Sequence, residues 1–228
     1  LRVVDDGAGI SHADTSQLFQ RHATSKLTSA DDLANISTLG FRGEALYSLA
    51  AVAQVSLLTR SPHEAAGTYL VAGDGALQRS EPHGAPQGTS VTIRHLFQKH
   101  PARQKFLGTP RSELIRVERL VTPYVLAYPH VRFTLISNGK KVLIAPGSGE
   151  LREAVAAIYG ASTSRGLLAV GDDERLVKSG IKVVGLISPP ELHRSNRNYI
   201  CLFVNGRPIQ NRSLTFAVTE AYRGFLPI

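Results

Sequence analysis

Asp5-Asp6-Gly7-Ala8-Gly9-Ile10 follows the short apolar run that begins Leu1-Arg2-Val3-Val4 and sets a carboxylate just ahead of two alternate glycines. Such glycines let the backbone turn tightly and approach a ligand with no Cβ in the way. The carboxylate can accept a hydrogen bond from an amino group while a flat ring passes over the glycines. An ordinary Asp/Gly turn between strand and helix explains the same residues, so D-x-G-x-G carries little alone. Further on, Arg21-His22-Ala23-Thr24-Ser25-Lys26 offers two hydroxyls and an ammonium in succession. These groups can bond and neutralise phosphate oxygens, or they can finish a solvated helix.

The most informative segment is Leu39-Gly40-Phe41-Arg42-Gly43-Glu44-Ala45-Leu46. Its glycines stand immediately before a helix whose apolar residues fall at 45, 46, 49, 50, 52 and 53. Free backbone N–H groups at such a helix start, with the positive end of its dipole, make an anion site that glycine leaves open. Glu44 is read as a cap for that helix rather than a catalytic group, because a carboxylate beside phosphates repels them. The segment lacks the G-x-x-x-x-G-K-[ST] spacing of a P-loop. It also lacks the G-x-G-x-x-G fingerprint of a dinucleotide fold.

Several elements must position these groups. A short amphipathic helix is expected from Asp14 to His22, with Leu18 and Phe19 on its apolar side. Gln54 to Thr59, Thr68 to Ala72 and Thr89 to Arg94 read as strands, with turns at Ser61-Pro62-His63 and from Glu81 to Gly88. Thr109-Pro110 starts a long helix striped by Leu114, Val117, Val121, Tyr124, Val125 and Tyr128, which Pro123 should kink. Val131 to Ser137 and Lys141 to Ala145 flank Asn138-Gly139, a hairpin signal. Pro146-Gly147-Ser148-Gly149 suggests a domain boundary. Beyond it come a helix over Glu150 to Tyr159 ended by Gly160, strands at Lys182 to Ile187 and Tyr199 to Val204, and a helix over Leu214 to Arg223.

The 228 residues suffice for one large or two small domains with a real core. Cys201 stands alone, which forbids an intrachain disulfide, and no Cys/His cluster has zinc-ligand spacing. No apolar stretch is long enough to span a bilayer, and no signal peptide is visible, so no membrane partner is expected. Because methionine is absent and the chain opens inside a strand pattern, it is expected to be part of a longer protein. The formal charge of +8 suggests a polyanionic partner. Residues 94–152 hold 11 Lys/Arg against three acidic residues, and residues 193–223 hold five Arg against one Glu. That density can neutralise phosphates along a duplex without reading bases, although Arg111, Arg116 and Arg119 read as a solvated helix face.

Taken in order, D-x-G-x-G, R-H-A-T-S-K, G-F-R-G-E-A-L and Gly88-Thr89-Ser90 resemble the amino-terminal ATPase of MutL-type mismatch-repair proteins, a branch of the GHKL superfamily. Pro101-Ala102-Arg103-Gln104-Lys105-Phe106-Leu107 and Val204-Asn205-Gly206-Arg207 extend the resemblance almost to the end. It implies an α+β fold. A GHKL-type α/β sandwich, a mixed sheet with helices on one face, would occupy residues 1–147. A partial ribosomal-protein-like α/β domain would occupy residues 148–228. It further implies that Asp5 accepts the adenine amino group of ATP, with Gly7 and Gly9 giving the base room and Thr89 beneath it. Thr24, Ser25 and Lys26 would lie in a lid over the triphosphate, and Gly40, Phe41, Arg42 and Gly43 would hold the phosphates. Arg207 would contribute to DNA binding.

The same resemblance implies a general-base Glu and an Asn ligand for Mg2+ on a helix before Leu1, and a Lys beyond Ile228 that reaches the γ-phosphate. No catalytic or metal-ligating residue is therefore assigned within the chain, which is expected to bind ATP without turning it over. The implied partners are DNA, a second copy in an ATP-dependent homodimer, a MutS-type mismatch-recognition protein and a downstream nuclease or helicase. The implied compartment is the cytoplasm for a bacterial protein or the nucleus for a eukaryotic one. Two other readings are a DNA-binding module in which nucleotide is incidental, and another GHKL kinase or topoisomerase subunit. The glycine block and P-A-R-x-K-F-L argue against the last.

Overall fold

A computed structural model describes residues 1–20, 39, 44–171 and 180–225. These fall into two compact units, residues 1–108 and 109–228. The first is built on five strands: β1 (Arg2–Asp5), β2 (Gln54–Arg60), β3 (Gly67–Gly73), β4 (Ala76–His83) and β5 (Gly88–Arg94). They lie in the order β1-β5-β2-β3-β4, and every ladder is antiparallel. Among the described residues, α1 (His12–Thr15) and α2 (Ala45–Ala50) precede β2, and α3 (Pro101–Gln104) follows β5.

Strand alternation sends every second residue to one face of the sheet. On β2 these are Val55, Leu57 and Thr59, all at most 1% exposed. Val55 lies opposite Ala72 and Ile93, Leu57 opposite Leu70 and Val91, and Thr59 opposite Thr68 and Thr89. Phe19 and Ala50 cover the apolar rows, with Ile10, Leu18, Leu46 and Leu49 packed around them. This is the expected α+β class, with α2 and the turns after α1 packed on one face. The third row is polar. Since Asp5 lies opposite Thr89, the sheet ends in a line of Asp5, Thr89, Thr59 and Thr68 across four strands.

The second unit contains α4 (Pro110–Ala127), the hairpin β6 (Phe133–Ser137) and β7 (Lys140–Ala145), α5 (Leu151–Tyr159), α6 (Ala161–Gly166), and the short pair β8 (Leu168–Val170) and β9 (Gly185–Ile187). The hairpin β10 (Leu202–Val204) and β11 (Arg207–Ile209) precedes α7 (Arg212–Ala221). Thr109 caps α4 by accepting from the Ser112 N–H, and the helix runs through Pro123 to Ala127 without a break. Asn138 and Gly139 both have positive φ, as the two-residue turn requires.

Some expectations shift. The helix foreseen to His22 ends at Thr15 and continues in turns, while Phe19 is still buried. The helix after Glu44 stops at Ala50, so Val52 and Ala53 lead into β2 instead of extending its stripe. Residues 81–83, read as part of a turn, belong to β4, which pairs with β3 along the sheet edge. An edge strand needs only one bonded neighbour, and the polar sequence of β4 masked it. The Pro146–Gly149 segment lies inside the second unit. There Ala145, Val125, Leu126, Ala154 and Val155 share one core, so residues on both sides of the segment pack together.

Candidate functional site

The Asp5 carboxylate is held by the backbone. Its Oδ1 accepts from the Gly7 N–H at 3.0 Å and the Thr89 N–H at 3.2 Å. The first bond closes the turn after β1, and the second crosses to β5 at the end of the ladder. The Gln87 side-chain amide donates to the Gly7 carbonyl at 3.1 Å, a second link between the two segments. Asp5 is exposed and Thr89 half-buried, so both can be reached from solvent.

Two glycines have a steric reason to be there. Gly9 has φ +66°, and a Cβ on it would stand 2.0 Å from the Arg60 carbonyl oxygen. Gly88 has φ +111°, and its Cβ would stand 2.1 Å from the Asp5 carbonyl oxygen. The second glycine of D-x-G-x-G thus lets the turn press against β2, and Gly88 lets β5 press against β1.

Thr59 sits beneath both turns. Its hydroxyl accepts from the Ile10 N–H at 2.8 Å and donates to the Gly88 carbonyl at 3.1 Å, and it lies 3.1 Å from the Thr89 hydroxyl. Sequence reading missed it, although the alternation Val55, Leu57, Thr59 was the signal that placed a hydroxyl on the core face. Nearby, the Glu64 carboxylate accepts from the His12 N–H at 2.7 Å and the Ser61 N–H at 3.3 Å. Arg60 donates to the Ala85 carbonyl at 2.6 Å and the Glu64 carbonyl at 3.2 Å, and the His12 ring lies 3.0 Å from the Thr68 hydroxyl. These bonds brace the loops around the Asp5 end of the sheet.

The structure therefore brings Asp5, Gly7, Gly9 and Thr89 together. Thr24, Ser25, Lys26, Gly40, Phe41, Arg42 and Gly43 lie outside the described residues. Glu44 occupies the N-cap position of α2, but its side chain makes no capping bond. Its backbone carbonyl accepts from the Ser48 N–H instead. Arg207 lies in the other unit. It is the half-buried first residue of β11, after a turn in which Asn205 and Gly206 have positive φ.

A cavity of about 360 Å³ lies at the opposite end of the same sheet, bordered by Gln54, Gly73, His95, Gln98 and His100. Its lysine, Lys99, is paired with Asp74 at 2.6 Å. Among the described residues no three His, Cys, Asp or Glu side chains gather as a metal site. No described helix is long and apolar enough to cross a membrane.

Residues 155–228 match the family model described as DNA mismatch repair protein, C-terminal domain. Over 227 residues the chain is 42% identical to the DNA mismatch repair protein MutL of Desulforamulus reducens, covering all of this chain and 35% of that protein. Over 222 residues it is 38% identical to MutL of Streptococcus thermophilus, covering 97% of this chain and 34% of that protein. Its fold matches the ADP-complexed ATPase domain of Aquifex aeolicus MutL with a TM-score of 0.69 and 27% identity, across 96% of this chain and 74% of that one. The chain belongs to the MutL type of DNA mismatch-repair proteins and spans about a third of the length of these curated relatives.

Proposed function

We propose that this chain is the nucleotide-binding part of an ATP-switched scaffold in DNA mismatch repair. One observation carries the reading: the Asp5 carboxylate is fixed by the Gly7 and Thr89 N–H groups at the exposed end of a sheet whose relatives include an ADP-complexed domain. A carboxylate with one oxygen loaded by backbone donors keeps the other as an acceptor, suited to an exocyclic amino group. Adenine fits this end of the sheet. Gly7 and Gly9 keep the turn low, and Thr89 supplies a second polar group beside the carboxylate.

The phosphates fall to Thr24, Ser25 and Lys26 and to the backbone of Gly40, Phe41, Arg42 and Gly43. Attack of water on the γ-phosphate needs a group that orients the nucleophile and positive charge that stabilises the transition state. The motifs that this chain shares with the family include neither the family's Glu base nor its Asn ligand for Mg2+. The 228 residues are accordingly expected to bind ATP and not to hydrolyse it, the longer protein being the ATPase. In that protein ATP binding orders the lid, joins two copies and creates or closes a DNA-binding groove to which Arg207 contributes. A MutS-type protein then acts upstream and a nuclease or helicase downstream, in the cytoplasm of a bacterial cell.

The alternative is a DNA-binding module indifferent to nucleotide, favoured by the excess of basic residues beyond residue 108. Retention on duplex DNA with and without ATP separates the two. ATP-dependent retention lost in Asp5→Ala supports the switched scaffold. Retention insensitive to both ATP and Asp5→Ala supports the module.

A further inference from the structure

We infer that Thr59 is a positioning residue of this site, a buried hydroxyl that fixes the turn after Gly9 and dictates which way the Thr89 hydroxyl points its proton. The inference rests on the adenine-nucleotide reading and adds to it the order of protons beneath the base.

Thr59 is 1% exposed, and three polar atoms meet its oxygen. A hydroxyl has one proton and two lone pairs. The Ile10 N–H can only donate, so it takes one lone pair. The Gly88 carbonyl can only accept, so it takes the proton. The remaining lone pair faces Thr89, whose hydroxyl must then donate to Thr59. This arrangement leaves no capacity of Thr59 unused, as burial demands.

A consequence reaches the ligand. With its proton turned inward, the Thr89 hydroxyl meets a ligand with lone pairs alone. The Asp5 carboxylate, its Oδ1 loaded by Gly7 and Thr89, also only accepts. With the base held by its 6-position, these two acceptors receive the amino group that adenine carries there and repel the carbonyl that guanine carries there. Discrimination by unpaired polar groups of this kind is strong, because the rejected ligand leaves them unsatisfied. Thr59 touches no ligand and acts through Thr89 and the Ile10 turn.

The test is equilibrium binding of ATP, with GTP as competitor, to the 228-residue chain. Thr59→Ser keeps the hydroxyl and is expected to hold ATP affinity within about twofold, while Thr59→Val weakens it about tenfold and narrows the preference for ATP over GTP. In a Thr89→Val background Thr59→Val is expected to leave the ATP-over-GTP preference unchanged and to add less than its own single loss, the remainder passing through the Ile10 turn. Thr59→Val with unaltered ATP affinity overturns the inference, as does a full additive loss beside Thr89→Val, which marks a purely structural threonine. Thr59→Ala, which deletes the hydroxyl without pressing a methyl against the Ile10 N–H, replaces the valine variant if that one does not fold. If the unaltered chain binds no ATP, the adenine reading itself falls. Thr59 is then judged by amide exchange at Ile10, slow in the parent and Thr59→Ser and fast in Thr59→Ala. Slow exchange in Thr59→Ala overturns the tie.

Discussion

At Gly9 the backbone has no room for any other residue. A methyl group there meets the Arg60 carbonyl at 2.0 Å, and φ +66° already disfavours a side chain. Gly9→Ala should therefore cost about 3 kcal/mol, combining backbone strain with overpacking, and lower the thermal midpoint accordingly. Gly75→Ala is the control, because it also has positive φ but nothing within 4 Å of its Cβ. It should cost only about 1 kcal/mol. Equal losses at the two positions would show that conformation alone, and not the press against β2, demands Gly9. The motif was legible at this scale only through its order with R-H-A-T-S-K, G-F-R-G-E-A-L and Gly88-Thr89-Ser90, since D-x-G-x-G alone also fits an ordinary turn. Its physical reason was not, since the Arg60 carbonyl lies some fifty residues away in the chain. Thr59 was illegible for a related cause: a threonine inside a strand looks like any β-branched residue until its three neighbours are known.

Among the elements, α5 is tied to the segment before β10 through its last residue. The Tyr159 hydroxyl lies 3.7 Å from the Cys201 sulfur, and its ring is 5.6 Å from that of Tyr199, over which Arg194 stands. Burial, then the neighbouring Cys201 and Tyr199, push the Tyr159 phenol well above its ordinary value near 10. A raised value means that the folded state holds the proton more tightly than the unfolded chain. The tie is thus fully present below about pH 10 and is lost as pH rises above it. Tyr159→Phe should lose less stability than the parent between neutral pH and pH values above about 10, as followed by denaturant midpoints. An identical decline in both would assign the alkaline loss to other groups. Elements with strong local signals were readable in advance, as with the Thr109 cap of α4 and the Asn138-Gly139 turn. Edge strand β4 and the short β8 and β11 were not, because three residues or a polar edge carry no usable periodicity.

Over the whole molecule, charge is distributed unequally. Residues 1–108 carry ten Lys/Arg and nine Asp/Glu, whereas residues 109–228 carry 16 and nine. The first unit is thus nearly neutral and the second unit holds most of the +8. Binding to duplex DNA should be dominated by released counterions. With roughly six phosphate contacts, affinity should fall about a thousandfold between about 50 and 200 mM salt. Arg207→Ala should lessen the slope by about one contact without changing sequence preference. Binding that ignores salt would remove the electrostatic account. The uneven charge was visible in the sequence, but its division at residue 108 needed the fold, because α4 packs with the residues after it.

The polar line of Asp5, Thr89, Thr59 and Thr68 continues the same alternation that buries Val55, Leu57 and Leu70 and packs Val91 against them. A one-residue slip of β5 against either neighbour would turn its inward side chains outward. Thr89 would then leave Asp5 and Thr59 in the same movement that pulls Val91 from the core. Misassembly at the site cannot occur quietly beneath an intact interior, so folding proofreads the pocket before any ligand arrives.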